Sequence, residues 1–231
     1  MALILYIETA TSVCAVALSQ DGKLVAEKHT SEPRAHAQML TVFIDELLAE
    51  AGFAYEHLDA ICVSKGPGSY TGLRIGVAVA KGLCYALDKP LIAINTLYSM
   101  TACMKEQLKQ ISIPDKNDIL FCPMIDARRM EVYTAVYDPQ LEEITSTKAL
   151  VIDINSFTEF RDNRLIFFGD GSSKIITVID PTLNAEFIDD FIFNATGMLM
   201  QANHRFTLQQ FEDLAYFEPY YLKEFVGNKG A

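Results

Sequence analysis

The chain has 231 residues, of which 50% are apolar, and 19 Lys and Arg against 30 Asp and Glu give it a formal charge of −11. This composition excludes a disordered, collagen-like or coiled-coil protein. The acidic excess also argues against a chain that binds nucleic acid by itself, because phosphate groups require a clustered basic surface. Any contact with RNA is therefore expected to pass through a partner.

The five cysteines are scattered and form no CxxC pair, which indicates reduced, packed thiols. The amino-terminal apolar run lacks a basic region and soon meets Glu8, which is not the pattern of a signal peptide. The longest uncharged stretch, Pro90 to Met104, has 15 residues and several polar side chains, too few and too polar to span a bilayer. We therefore expect a soluble cytoplasmic protein without a membrane segment.

The amino-terminal half is predicted to open with three antiparallel strands, because apolar and β-branched runs are separated by turn residues. These strands span residues 3–8, 13–19 and 23–29. Apolar residues then recur at helical spacing over 35–51, up to Gly52, and predict a helix.

A parallel strand–helix–strand unit is predicted next, from a buried strand at 58–64, a helix at 72–87 and a strand at 91–95. The helix has two rows of small residues at four-residue spacing, and it carries almost no charge, so it requires cover on more than the sheet side. The rows are Gly72, Gly76 and Ala80, and Ala78, Gly82 and Ala86. Either the helix at 35–51 or another chain could provide that cover.

The pattern then begins again, with strands predicted at 119–125 and 131–137 and a glycine pair, Gly169 and Gly171, before a predicted helix. A short helix near 194–203 and a polar-aromatic tail close the chain. The sequence therefore predicts an internal duplication, with two lobes that share one cleft. We place the amino-terminal lobe at 1–104 and the carboxy-terminal lobe at 105–231, and leave open whether the tail packs back on the first lobe.

Two strand-end carboxylates and a glycine-rich loop could carry chemistry in that cleft. A carboxylate there could serve a metal-bound nucleotide or act as a general base, and it could equally cap its own turn. The loop could present helix N–H groups to a phosphate, although its spacing is neither a dinucleotide fingerprint nor a P-loop and also suits a tight turn. The predicted cleft residues are Glu8, Thr9, Gly66, Gly68, Ser69, Thr71 and Asp126.

No metal site and no catalytic residue is predicted. The four histidines are far apart in sequence, and none has a second ligand at helical spacing. The serines and cysteines lack a recognisable general base nearby, and no GxSxG motif occurs.

Three segments match a known family: residues 4–12 (ILYIETATS), 66–76 (GPGSYTGLRIG) and 124–133 (MIDARRMEVY). They resemble the TsaB family, also called YeaZ, and the resemblance extends to the tail at 219–223. That family is the dimerisation subunit of the bacterial complex that makes N6-threonylcarbamoyladenosine (t6A) at position 37 of tRNAs reading codons that start with A.

The resemblance implies an actin-like, Hsp70-like (ASKHA) duplicated α/β fold, with a mixed sheet and flanking helices in each lobe. It also implies a chain that is not itself an enzyme. The catalytic relatives, TsaD, hold a metal with two histidines where this sequence has Thr96 and Met100. No cofactor is therefore expected on this chain alone, since ATP and metal belong to the assembled complex.

The resemblance further implies that the helices at 35–51 and 72–87 pair with a TsaD-type catalytic subunit, and with a second copy of the chain when it is alone. A TsaE-type ATPase is expected to dock on the heterodimer, and tRNA to be reached through the complex. The expected contact residues are His36, Met39, Leu40, Phe43, Gly72, Val77, Lys81 and Leu83.

Two other functions stay open. One is a stand-alone actin-like ATPase or phosphotransferase that uses Glu8, Asp126 and the two glycine loops; the nearly uncharged first turn at Ser12 and Val13 argues against it. The other is a metallopeptidase, which ranks last because its ligands are missing.

Overall fold

The first lobe is built on a five-stranded mixed sheet. A computed structural model describes residues 2–32, 35–109 and 118–223, so residues 110–117 and 224–231 of the predicted second lobe lie outside the described ranges. The strands are β1 (Leu3–Glu8), β2 (Cys14–Gln20), β3 (Lys23–Thr30), β4 (Ala60–Gly66) and β5 (Leu91–Asn95). Their order is β3-β2-β1-β4-β5, antiparallel from β3 to β1 and parallel from β1 to β5.

Helices α1 (Ala35–Ala51) and α2 (Tyr70–Leu87) cover one face of this sheet. Apolar residues of both helices, such as Leu47 and Val77, join the inward side chains of the strands in one buried cluster. This packing follows from the crossover connections, which bring each helix back over the sheet.

The opposite face of the first sheet is covered by chain from near the carboxy terminus. A 3-10 turn, Ala195–Met198, leads into α4 (Leu199–Thr207). Met198 and Ala202 are fully buried against the sheet, together with Tyr6 of the central strand. The first sheet is therefore enclosed on both faces, which explains why its strands β1 and β4 are buried almost throughout.

The second sheet repeats the first. Its strands are β6 (Ile119–Asp126), β7 (Glu131–Tyr137), β8 (Glu143–Val151), β9 (Arg164–Phe168) and β10 (Ala185–Ile188). Their order is β8-β7-β6-β9-β10, again antiparallel over the first three and parallel over the last three. The same order and directions in both sheets confirm the predicted duplicated actin-like fold.

Two helical features differ from the predictions. Helix α3 (Thr96–Lys109) was not expected; it runs through residue 104 and packs against the second sheet. The helix predicted after Gly171 is only a 3-10 turn, Ser173–Ile175, because two serines and then a β-branched run, residues 175–179, follow the glycine. Within the described ranges, the helices lack the length and apolar character that crossing a membrane requires.

Candidate functional site

A cavity of about 1010 Å³ lies between the two lobes. Three segments line most of it: the glycine-rich loop that joins β4 to α2, the turn between β6 and β7, and the tail residues Tyr220 to Lys223. The carboxyl end of β1 and the amino end of α2 meet at this edge, as the parallel connections require. The cavity is therefore the cleft that the duplication predicts.

The glycine-rich loop is packed tightly against the turn that follows β1. A Cβ atom at Gly68 would lie 2.2 Å from the Ala10 carbonyl oxygen, and the Ser69 N–H donates to that same oxygen at 2.6 Å. The Ser69 hydroxyl also accepts from the Gly72 N–H at 3.2 Å and caps α2. These contacts account for the loop's composition by packing; Gly68, Ser69 and Thr71 still line the cavity, whereas Gly66 is buried.

Glu8 and Thr9 lie beneath the cleft, and both are fully buried. Glu8 Oε1 accepts from the Ala10 N–H at 2.6 Å and from the Ser64 hydroxyl at 2.9 Å, while Oε2 has no partner among the described residues. Burial raises the pKa of Glu8 to about 7, although both hydrogen bonds oppose that rise. Thr9 donates its hydroxyl proton to the Gly72 carbonyl at 2.8 Å, so its side chain is occupied in fixing α2.

Asp126 lines the cavity, unlike Glu8. Its carboxylate accepts from the Arg128 N–H at 2.7 Å and from the Lys174 ammonium group. Burial acts to raise the pKa of Asp126, but these hydrogen bonds and the positive charge of Lys174 outweigh it, and the pKa is lowered. The carboxylate therefore holds its own turn, and the structure does not bring the two predicted strand-end acids together in the cleft.

The predicted partner-contact residues divide into two groups. Leu40, Gly72 and Val77 are buried in the core of this chain, because they lie on the faces of α1 and α2 that pack on the sheet. The half-buried residues of the set are His36, Met39, Phe43, Lys81 and Leu83. The first three positions are therefore unavailable on the surface of the monomer, and the contact role of the others stays a prediction.

The second row of small residues on α2 faces outward. Ala78, Gly82 and Ala86 are all exposed, and a Cβ atom at Gly82 would meet nothing within 4 Å. Tyr85, beside this row, is 84% exposed, and Val42 of α1 is 38% exposed. We call Ala78, Gly82, Tyr85 and Ala86 the outer ridge. Its four-residue spacing is visible in the sequence, whereas the fact that this row faces outward is not.

The carboxy-terminal tail crosses α2 and reaches the second lobe. The Tyr220 N–H donates to the Lys65 carbonyl at 2.7 Å, and the Lys81 ammonium group donates to two tail carbonyls, at 3.0 and 3.4 Å. Lys223 then forms an ion pair with Glu131 at the cleft. The sequence left open whether the tail packs on the first lobe, because backbone carbonyls that bind Lys81 leave no sequence pattern.

No group of three or more His, Cys, Asp or Glu side chains is arranged to hold a metal ion in residues 2–32, 35–109 and 118–223. All five cysteines are free and buried, as expected from their apolar surroundings. Thr96 and Met100, at the positions that resemble the metal ligands of the catalytic relatives, are buried in α3.

Comparison with known proteins gives a consistent relationship. The family model described as TsaD, tRNA N6-adenosine threonylcarbamoyltransferase, matches residues 23–217. The tRNA threonylcarbamoyladenosine biosynthesis protein TsaB of Bacillus subtilis strain 168 is 30% identical over 187 residues, 79% of this chain and 77% of the relative. TsaB of Escherichia coli strain K12 is 35% identical over 136 residues, 58% of this chain and 54% of the relative.

A solved structure extends the likeness to the whole fold. An uncharacterized protein from Pseudomonas aeruginosa, described as similar to the peptidase YEAZ, superposes with a TM-score of 0.77 at 26% identity. The superposition covers 96% of this chain and 100% of that one. The predicted resemblance is thereby confirmed: the chain belongs to the TsaB (YeaZ) family.

Proposed function

We propose that this chain is the non-catalytic dimerisation subunit of a t6A-forming complex. It pairs with a TsaD-type catalytic subunit that transfers the threonylcarbamoyl group to N6 of adenosine 37 in tRNAs reading codons that start with A. It supports docking of a TsaE-type ATPase in the cytoplasm, and tRNA is reached through the complex. ATP and metal belong to the assembly, and the chain alone forms a weak homodimer.

The outer ridge is the observation that carries this proposal. Gly82 lies inside a helix, where glycine costs about 1 kcal/mol relative to alanine. Among the described residues, no atom lies close enough to require its small size. Small outward residues allow a second helix to approach closely. Met39, Phe43 and Leu83 of the same two helices are apolar and only half-buried, and incompletely covered apolar surface is typical of an interface.

A partner that shares this fold suits such a surface. The family model that matches the chain is that of the catalytic subunit, so the two proteins are related over residues 23–217. Two related chains can pair equivalent helices across a pseudo-two-fold axis, as identical chains do across a true one. Burial of Thr96 and Met100 in α3 supports a division of labour in which this chain contributes no metal ligands.

Assembly with the TsaD-type subunit tests the proposal. Ala78→Glu places a charge on the exposed outer ridge and is expected to abolish heterodimer formation in size-exclusion chromatography, along with t6A formation in a reconstituted reaction. Val151→Glu, at an exposed apolar residue of β8, is the matched control and should assemble normally. Normal assembly of Ala78→Glu, or t6A formation that ignores omission of the chain, would contradict the proposal.

The cavity favours one second candidate, the stand-alone ATPase or phosphotransferase. Its volume of about 1010 Å³ is large enough for a nucleotide, and the amino end of α2 lines it. Isothermal titration of the isolated chain with Mg-ATP separates the two functions. Micromolar affinity with steady phosphate release would favour the ATPase, and the dimerisation subunit is expected to show neither.

A further inference from the structure

The turn between β6 and β7 presents two adjacent arginines at the cleft. Arg128 and Arg129 both line the cavity and are both exposed. Their φ angles are +67° and +52°, in the left-handed region that favours glycine or asparagine. A tight hairpin turn favours positive φ angles, but glycine or asparagine would adopt them with less strain than arginine. The presence of two arginines at these positions therefore needs an explanation.

The turn is held rigidly from below. The Lys174 ammonium group donates to the Arg129 carbonyl at 3.0 Å, to the Glu131 carbonyl and to the Asp126 carboxylate. The Arg128 N–H binds the same carboxylate at 2.7 Å. These contacts fix the backbone and leave both arginine side chains outside the network, which is the arrangement of a preorganised binding element.

Within the part of the chain that the structure describes, the charges around the turn do not hold either arginine in an ion pair. Among the carboxylates of the cavity, Asp126 pairs with Lys174 and Glu131 pairs with Lys223. The third, Asp170, accepts from the Asp126 N–H at 2.9 Å, and the charge of Arg128 helps to lower the pKa of Asp126. In a chain with a formal charge of −11, such a local pair of exposed guanidinium groups outside any described ion pair is a distinctive surface for an anion.

Aromatic rings line the same cavity as the arginines. Two of them already contact groups of this chain: the ring centroids of Tyr70 and Tyr221 lie 4.9 Å apart, and the Arg74 guanidinium sits 4.2 Å above the Tyr70 ring. Tyr133 and Tyr220 also line the cavity, the latter 41% exposed. Arginines that bind phosphate, beside tyrosines on which bases stack, are the combination that binds single-stranded RNA.

We propose that this cleft edge binds single-stranded RNA, with Arg128 and Arg129 on phosphate groups and the exposed Tyr220 against a base. The inference rests on the proposed function, in which the RNA is an unpaired loop of the tRNA substrate. Because the rest of the chain is acidic, the contact adds to tRNA binding by the complex and is weak in the isolated subunit.

Fluorescence anisotropy with a labelled single-stranded RNA tests the inference, on the chain alone and on its complex with the TsaD-type subunit. The Arg128→Glu/Arg129→Glu variant is expected to lose at least about tenfold in affinity. Its dependence of log affinity on log salt concentration should be shallower by about 1.4, since each phosphate contact on a single strand contributes about 0.7. The charge-matched Lys23→Glu/Lys89→Glu variant, away from the cavity, should bind as the wild type does.

A glycine variant separates binding from folding. Arg128→Gly/Arg129→Gly relieves the left-handed strain, so it should keep or raise the melting temperature while it weakens RNA binding. Wild-type protein that binds no RNA in either form, or a double glutamate variant that binds as the control does, would overturn the inference. ATP that displaces the RNA at equal concentration would do so too, since it would indicate a nucleotide pocket.

The proposed function is scored separately in the same samples by size-exclusion chromatography and t6A formation. A complex that assembles normally while the double glutamate variant keeps full RNA affinity contradicts only the RNA surface. A wild-type chain that never assembles with the catalytic subunit contradicts the proposed function, whatever its affinity for RNA.

Discussion

Glu8 places its carboxyl group at the end of the central strand β1, where the residue has no exposure to solvent. Two hydrogen bonds hold one oxygen, and the other has no partner among the described residues. A buried carboxylate without a cationic partner is costly, and the side chain avoids that cost by keeping its proton. Glu8 is therefore better suited to be a neutral element of the first lobe than a ligand or base in the cleft.

The protonation of Glu8 gives the fold a pH dependence. The pKa of Glu8 is about 7 in the folded chain against a reference of 4.5. Between these pH values Glu8 is ionised in the unfolded chain but largely protonated in the folded chain, so a rise in pH lowers the free energy of unfolding. This contribution is complete below pH 4.5, falls as the pH rises toward 7 and is constant above that. It amounts to at most about 3 kcal/mol.

Urea unfolding of wild type and Glu8→Gln between about pH 5 and 8 measures this term. Glutamine mimics the protonated acid, so the variant should lack the fall in unfolding free energy and exceed the wild type at pH 8. Glu56→Gln, at an exposed position, is the control and should keep the wild-type profile. Parallel profiles for Glu8→Gln and wild type would refute a protonated Glu8.

The two rows of small residues on α2 have different surroundings. The inner row packs on the strand: a Cβ at Gly72 would lie 2.1 Å from the Thr9 carbonyl oxygen, and one at Gly76 would lie 2.2 Å from the Thr9 hydroxyl. The outer row faces open space, as the empty surroundings of Gly82 show. Rows with the same spacing in sequence therefore lie in different environments, one packed and one exposed.

Paired alanine substitutions distinguish the rows. The new Cβ of Gly72→Ala would clash with the Thr9 carbonyl oxygen, a backbone atom that cannot move without its strand. This overpacking should lower the unfolding free energy of the isolated chain by about 1–3 kcal/mol. Gly82→Ala should stabilise it by up to about 1 kcal/mol, because only the helix propensity changes, and it should weaken heterodimer formation. Thermal unfolding and assembly, measured on both variants, check this. A Gly82→Ala chain that is less stable alone would contradict an open outer row.

Patterning predicted the elements where local signals were strong. Helix α1 was expected at 35–51 and spans Ala35–Ala51, and the opening hairpins agree within a residue or two. Helix α3 was missed because Thr96 to Thr101 is rich in hydroxyl and β-branched residues, which form helices weakly. Its one local signal is Asn95, whose side chain accepts the Leu97 N–H at 2.8 Å and caps the helix.

The candidate site was less predictable for a physical reason. When a helix is apolar nearly all round, no single apolar stripe marks its buried face. The sequence of α2 therefore does not indicate which row of small residues faces the sheet. Val77 and Gly72 were accordingly expected at the interface and lie in the core. The basic turn was missed because its strain is a property of φ at Arg128 and Arg129, which composition does not encode.

For the whole molecule, the net charge and the outer ridge oppose each other when two copies meet. Each copy carries a formal charge of −11, so like-charge repulsion disfavours the homodimer at low ionic strength. In the homodimer that the proposed function includes, apolar contact between outer ridges favours association and is not weakened by salt. Because the screening length falls from about 10 Å at 0.1 M to about 3 Å at 1 M, added salt should remove mainly the repulsion.

The homodimer fraction at fixed protein concentration is therefore expected to rise with sodium chloride, as measured by sedimentation equilibrium. Ala78→Glu should abolish the dimer at every salt concentration, because a two-fold interface places the new glutamates of both copies in the same contact. Val151→Glu should follow the wild type, since it adds the same charge at an exposed position of the second lobe, away from the outer ridge. A dimer that dissociates as salt is added would require interchain ion pairs in place of the outer ridge. A dimer that survives Ala78→Glu would require a contact outside the outer ridge. RNA binding at Arg128 and Arg129 has the opposite salt dependence, so the two surfaces can be told apart in one titration.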